Sequence, residues 1–133
     1  MLKKYFNIAK NQLFPINRSL TGKGVVKTLN IIQKEFSKLK IKSIKSRSKV
    51  FDWTVPQEWN VKNAYVVDKN NVKIIDIEKN NLHLIGYSIP LKKTLTKKDL
   101  FKNLYFLKNQ PTAIPYITSY YQKRWGFCIS YNQ

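Results

Sequence analysis

The sequence is poor in the residues that build covalent cross-links and metal sites. Its 133 residues include one cysteine, one histidine and seven acidic residues. A single cysteine excludes a disulfide within the chain. No stretch reaches the roughly 18 apolar residues that a membrane span needs, and the basic N-terminus lacks the apolar core and cleavage site of a signal peptide. We therefore predict a cytoplasmic protein that has no membrane segment.

Negative charge is scarce as well, and the formal net charge is +18. The basic residues are 22 lysines and only three arginines, although arginine suits bidentate phosphate contacts better. Lysine, asparagine, isoleucine, tyrosine and phenylalanine, all encoded by A/T-rich codons, make up 64 of the 133 residues. Codon bias thus explains much of the lysine, and we do not expect nucleic acid as a partner. Binding of some anionic ligand is kept as an alternative, because residues 1–50 carry 13 basic residues and one acidic residue.

Apolar periodicity predicts two helices near the N-terminus. The first covers residues 2–13 and stops before Pro15. The second starts after a cap at Ser19 or Thr21 and runs to about Ser37. With 43% apolar residues, the chain has enough material for a core.

Strand patterns dominate the rest of the chain. A capping box at Thr96 and Asp99 predicts one further helix, whose apolar stripe extends to Leu107. The turn at residues 68–71 joins two of the strands as a hairpin. The predicted strands cover residues 39–46, 50–55, 64–67, 72–77, 82–89, 113–121 and 126–132.

Two aromatic segments stand out from this pattern. They are VFDWTVPQEW at residues 50–59 and IPYITSYYQKRWGFC at residues 114–128. Together they contain all three tryptophans and, with their prolines, they specify one packed arrangement.

Four stretches, two of which contain these aromatic segments, resemble a bacterial and archaeal family. They are LFPINRSLTGKGVVKTL (13–29), SKVFDWTVPQEWNVKNAYVVD (48–68), NLHLIGYSIP (81–90) and QPTAIPYITSYYQKRWGFCIS (110–130). Members of this family have a zinc-aminopeptidase-like α/β domain with an inserted domain of unknown function, and they often lie in polysaccharide-biosynthesis loci. The resemblance covers most of the chain, in order. One departure is Ser46-Arg47-Ser48, where the family usually has Ser-Gly-Thr, so the turn there is expected to differ.

The resemblance implies an α+β chain that corresponds to the first third of a family member. Residues 1–47 would be the N-terminal helices and first strand of the aminopeptidase-like domain. Residues 48–133 would be the β-rich inserted domain with one helix, incomplete at its C-terminal end. Zinc is expected only for the full-length family, because the His-Pro-Ser motif and the Asn-Asp pair that supply its ligands would lie beyond Gln133.

The residues themselves also argue against catalysis. A two-metal hydrolase needs several closely spaced histidine and carboxylate ligands and a glutamate base. This chain has only His83, its acidic residues are scattered, and no HExxH-type motif is present. We therefore predict no catalytic residues, no metal ligands and no cofactor in this chain.

Five residues remain as candidates for binding. His83 lies between two leucines of a predicted strand, where an outward or partner-facing position is favoured over a metal-ligand role. Tyr120, Tyr121, Lys123 and Arg124 form an aromatic-basic pattern that could stack on a base or sugar, although core packing beside a solvated basic turn is favoured.

The lone cysteine has two interpretations. Cys128, between Phe127 and Ile129, is typical of a small buried residue. A nucleophilic cysteine would need a base, and His83 is the only histidine that could provide one.

Three hypotheses of function follow. The first is an N-terminal fragment of an aminopeptidase-like protein, without activity of its own. The second is a small basic module that binds nucleic acid or an acidic glycan. The third is association with the remainder of the peptidase-like protein or with a second copy, because an incomplete inserted domain leaves strand edges unpaired.

Overall fold

The computed structural model describes residues 2–133 and combines helices with small two-stranded sheets. The described chain forms two compact units, one up to Val61 and one from Lys62 to Gln133. The division predicted at residue 47 concerns the domains of the family rather than these units, and it stays a prediction. No helix within residues 2–133 combines the length and the apolar character that crossing a bilayer requires.

The two N-terminal helices are confirmed. Helix α1 (Leu2–Ile8) continues into a π-helical turn (Ala9–Leu13), and the Arg18 side chain donates to the carbonyl of Leu13 at 2.5 Å. Helix α2 covers Lys23–Glu35, close to its predicted end. The aromatic rings of Tyr5 and Phe36 stack with centroids 5.7 Å apart.

The predicted cap of α2 is wrong. The residue before the helix is Gly22, in the left-handed region at φ 103°, and no side-chain cap comes from Ser19 or Thr21. Instead, the backbone N–H of Lys23 donates to Asn60 Oδ1 at 2.7 Å. The acceptor that satisfies this free N–H at the helix start therefore comes from 37 residues downstream, which local sequence patterns do not reveal.

Two strand predictions in the first unit need correction. Residues 39–46 form no strand, although apolar and polar residues alternate there. The segment 50–55 is not one continuous strand. It contains the end of β1 (Lys49–Val50), the turn at Phe51 and Asp52, and β2 (Trp53–Thr54), which pairs antiparallel with β1 in a tight hairpin. Arg47 itself has φ 70°, so the residue that stands in place of the family's glycine adopts the left-handed backbone that glycine tolerates best. Whether the turn differs from that of the family stays a prediction.

The hairpin at residues 64–77 is confirmed. Strand β3 (Tyr65–Val67) pairs antiparallel with β4 (Lys73–Asp76). The Asp68 carboxylate accepts hydrogen bonds from the N–H groups of Asn70 and Val72 at 2.8 and 2.9 Å. This Asx-type bonding, with Asn71 at φ 61°, is what closes the turn.

The third helix is shorter than predicted. Its capping box is confirmed, because the N–H of Asp99 donates to Thr96 Oγ1 at 3.2 Å. However, α3 covers only Lys97–Phe101, and the residues that were to extend it form strand β5 (Leu104–Tyr105). The N–H of Phe127 donates to the carbonyl of Asn103 at 2.9 Å, so a tertiary strand contact replaces the helical continuation.

The last strands are also shorter than predicted. Residues 82–89 begin as a 3-10 turn (Asn81–His83) and residues 113–121 form no strand, but isolated bridges join Leu84 to Phe127 and Gly86 to Thr118. Strand β6 (Phe127–Cys128) pairs parallel with β5. The core of the second unit consists of Ile75, Ile85, Cys128 and Ile129, and that of the first contains Ile16 and Val55.

Candidate functional site

The aromatic-basic segment at residues 120–124 follows a stretch that is hydrogen-bonded to Gly86, in a second segment of the same unit. The N–H of Gly86 donates to the carbonyl of Ile117 at 2.8 Å, and the N–H of Ser119 donates back to the carbonyl of Gly86 at 2.9 Å. The buried Ser119 hydroxyl also donates to the carbonyls of Gly86 and Tyr87, at 3.2 and 3.1 Å. Ser119 therefore fixes Tyr87, whose φ of 61° lies in the left-handed region.

This hydrogen bonding determines where Tyr120 points. The rings of Tyr87 and Tyr120 meet edge to face, with centroids 5.7 Å apart and an interplanar angle of 78°. The arrangement is a favourable geometry for an aromatic pair. Because Tyr120 is half-buried in this pair, its ring is engaged within the unit.

Arg124 is also engaged internally. Its Nη2 donates to the carbonyl of Thr118 at 2.7 Å, and its guanidinium lies 5.9 Å from the centroid of the Tyr105 ring. Its Nε is buried without a hydrogen-bond partner within the described residues. Tyr121 and Lys123 are exposed, so the structure divides the predicted group into two internal and two exposed side chains. Whether any of them binds a ligand stays a prediction.

His83 does not lie on an exposed strand face, and this prediction is wrong. It ends the 3-10 turn and is only 6% exposed. The side chain of Asn80 caps the turn by accepting from the N–H of Leu82 at 3.0 Å. His83 Nδ1 lies 2.7 Å from the carbonyl oxygen of Cys128. Because a carbonyl oxygen only accepts, Nδ1 carries the proton and donates it.

The Cys128 thiol is fully buried in the same region. Burial raises the pKa of this thiol to about 11, because the apolar surroundings disfavour the thiolate. The thiol is therefore protonated at neutral pH. It is not activated as a nucleophile in this fold, and the buried structural role is favoured.

We accordingly expect Cys128 to react with a disulfide reagent such as DTNB at pH 8 far more slowly in the folded chain than in urea. Its raised pKa also means that the unfolded thiol ionises first as the pH rises above about 8.5. Folding stability should thus fall between about pH 9 and 11, and this loss should vanish in a Cys128→Ala variant. Rapid native-state labelling at pH 8 would contradict the buried thiol.

Two acidic side chains of the second unit, those of Asp76 and Asp99, are paired with lysines. Asp76 is buried, and its carboxylate accepts from Lys73 Nζ at 2.8 Å and from the N–H of Glu78 at 3.1 Å, which lowers its pKa. The Asp99 carboxylate likewise accepts from Lys102 Nζ at 2.8 Å and from the Thr96 hydroxyl, and its pKa is also lowered. Both are held in the charged form by neighbours that support the local fold.

Two shallow grooves lie on the surface of the described residues. One, of about 430 Å³, follows α2 and is lined by Lys23, Val26, Lys27, Asn30, Ile31, Lys34 and Glu58. The other, of about 460 Å³, follows the start of α3 and is lined by Lys93, Thr94, Leu95, Thr96, Asp99, Lys102, Asn103 and Trp125. Sequence patterns missed both grooves, because each is completed by a residue from a distant part of the chain, Glu58 in the first and Trp125 in the second.

No metal site emerges from these groups. Across residues 2–133, no three His, Cys, Asp or Glu side chains lie close enough together to hold a metal ion. The residues present therefore do not fit a zinc site, and no step of a metal-dependent reaction can be derived from them.

Comparison with known proteins identifies the family. Residues 58–133, more than half of the chain, match the family described as "Domain of unknown function (DUF2172)". The chain belongs to this family.

Two comparisons, one with curated sequences and one with solved structures, each find a longer chain that is similar over nearly the whole of this one. A Clostridium acetobutylicum protein, provisionally named a polysaccharide biosynthesis protein with an aminopeptidase-like domain, is 49% identical over 122 residues. These cover 92% of this chain but 28% of the relative. A crystal structure of a provisionally assigned peptidase from Clostridium acetobutylicum aligns with a TM-score of 0.92 and 47% identity, covering 98% of this chain and 30% of that one. The family resemblance inferred from the motifs is confirmed.

Proposed function

We propose that this chain forms the N-terminal part of an aminopeptidase-like protein and has no catalytic activity of its own. The observation that carries this proposal is the extent of the structural likeness. Nearly all of this chain superposes on a peptidase-type chain at a TM-score of 0.92, yet it accounts for only 30% of that chain's length. In this proposal the reacting groups belong to the other 70%.

The chemistry of the described residues supports the proposal. A metallopeptidase must hold a metal-bound water and a base that removes its proton. Here His83 is buried against a backbone carbonyl, and Asp76 and Asp99 are neutralised by lysines. Any zinc would be held by residues outside this chain. The role left to this chain is structural, and the finer division into peptidase-like and inserted domains belongs to the proposal.

The test is a hydrolysis assay on the purified 133-residue chain. A panel of aminoacyl p-nitroanilides with added Zn²⁺, Mn²⁺ or Co²⁺ should give no turnover above buffer. The full-length Clostridium acetobutylicum relative, purified in the same way, is the matched comparison. Metal-dependent turnover that co-purifies with the chain and disappears in a His83→Asn variant would contradict the proposal.

A second candidate function is binding of nucleic acid or an acidic glycan, and the groove along α2 favours it. Lys23, Lys27 and Lys34 line this groove with only Glu58 opposing them. Binding to single-stranded DNA or heparin should then weaken with salt in proportion to the contacts made, and Lys27→Glu should weaken it further. Absence of binding at about 0.15 M salt, near physiological ionic strength, would remove this candidate.

A further inference from the structure

The tip of the β1–β2 hairpin presents a phenylalanine in an unfavourable backbone conformation. Phe51 has φ 54°, in the left-handed region that bulky residues seldom adopt, and its side chain is 98% exposed. Strain of this kind persists only where the surrounding structure imposes it, and it concentrates at functional surfaces. Within its own unit, the ring is almost entirely in solvent and so recovers little of this cost.

The hairpin below the tip holds this conformation in place. The N–H of Arg47 donates to the carbonyl of Val55 at 2.8 Å, and the N–H of Val55 donates to the carbonyl of Ser48 at 2.9 Å. Val55 is buried, which anchors the second strand in the core of the first unit. Because Val50 pairs directly with Trp53, only two residues remain to make the turn. Phe51 is therefore presented in a fixed position.

The first unit exposes other apolar side chains as well. None of the residues of α1 (Leu2–Ile8) or α2 (Lys23–Glu35) is buried, although both helices carry apolar residues. Exposed apolar surface beyond what a monomer normally shows marks an interaction surface. The most exposed apolar residues of this unit include Leu2, Phe6, Phe14, Phe36, Ile44 and Phe51.

Charge argues against a second copy as the partner. Residues 1–61 carry 13 basic residues and three acidic ones. Two copies of this unit brought face to face would therefore repel each other. A partner that covers the tip should instead carry acidic residues around an apolar pocket.

The length of the similar proteins indicates which partner this is. The crystallised peptidase-type chain shares its backbone arrangement with 98% of the residues of this chain. The match covers only 30% of the crystallised chain, so the other 70% of that chain lies outside it. We propose that Phe51 is the anchor by which this chain docks onto an aminopeptidase-like polypeptide equivalent to that further part. The inference rests on the proposed function, because it takes this chain to be one part of such a protein.

The test is a competition inside cells. The unmatched part of the Clostridium acetobutylicum relative is co-expressed with two differently tagged copies of the full 133-residue chain, one wild-type and one variant. Mass spectrometry of the purified complex gives the ratio in which they are incorporated. The variant Phe51→Asn removes the ring and tolerates positive φ, so its melting temperature alone should be unchanged or higher. We expect wild type to exceed it by about tenfold or more, the size of a docking hot spot.

The matched control is Val72→Ser, which shortens an exposed apolar side chain in the turn of the second unit. It should be incorporated equally with wild type. Equal incorporation of Phe51→Asn would overturn the proposal, as would failure to recover any complex. Self-association of the chain, or binding to vesicles with 30% phosphatidylglycerol in place of the polypeptide, would also overturn it.

This outcome is separate from that of the proposed function. Hydrolysis by the isolated chain would contradict the proposed function and leave the docking result unaffected. If the isolated chain shows no hydrolysis and also forms no complex, only the docking proposal is contradicted.

Discussion

Replacing Gly22 with alanine should destabilise the first unit by about 3 kcal/mol or more, a loss typical of a clash combined with backbone strain. Gly22 has φ 103°, which an L-residue with a Cβ adopts only at a cost. A Cβ here would overlap the carbonyl oxygen of Trp59 and lie 2.9 Å from Asn60 Oδ1. The same Asn60 atom accepts from Lys23 at the start of α2, so relief of the clash would break that bond.

The measurement is urea unfolding of the 133-residue chain, followed by circular dichroism for α2 and by tryptophan fluorescence. A Trp125→Phe background leaves Trp53 and Trp59 as probes of the first unit. Lys23→Ala is the control, because it alters an exposed side chain one residue further on and should change stability by less than about 0.5 kcal/mol. If Gly22→Ala unfolds at the same urea concentration as wild type, the close approach of residues 59 and 60 is wrong.

The Gly22 turn also shows which contacts of the fold could not be predicted from the sequence. Glycine at position 22 fits this turn, because it tolerates a positive φ. The residue that bonds to the helix start was not recognisable, because Asn60 is distant in sequence and nothing local marks it as a cap. Ser119, which fixes the Tyr87 turn from 32 residues away, was missed for the same reason.

Elements whose hydrogen bonds join residues close together in the sequence were predicted well. The Asp68 turn and the Thr96–Asp99 capping box each close their own hydrogen bonds within four residues, and both are confirmed. Elements that depend on tertiary pairing were predicted poorly. The apolar stripe at Leu104 fits a helix as well as a strand, and it becomes a strand because Phe127 offers a pairing partner.

The candidate site shows the same difference between features set by local sequence and features set by tertiary contacts. The sequence identified Tyr120 and Arg124 as aromatic and basic residues close together, but their side chains are turned to Tyr87 and Thr118 by contacts that no motif encodes. His83 was assigned to a strand by its leucine neighbours, whereas the Asn80 cap makes a 3-10 turn and buries it. Family membership, by contrast, was recognisable because it depends on whole motifs rather than on single contacts.

Replacing Ile85 with alanine should cost the second unit about 2–5 kcal/mol, the range for deleting a large aliphatic side chain from a core. Ile85 is fully buried. Its backbone neighbours are fixed on both sides, since Leu84 bridges to Phe127 and Gly86 bridges to Thr118. The cavity therefore cannot close by a shift of the chain, which favours the upper half of that range.

A graded series separates this packing effect from general damage to the fold. Ile85→Val should cost about 0.5–1.5 kcal/mol, because it removes a single methylene group, and Ile74→Ala, at an exposed position on β4, should cost less. Unfolding is followed through Trp125 in a Trp53→Phe/Trp59→Phe background. If alanine at 85 costs no more than alanine at 74, the core is not centred on Ile85. If the valine and alanine losses scale with the volume removed, the second unit has a close-packed core of its own.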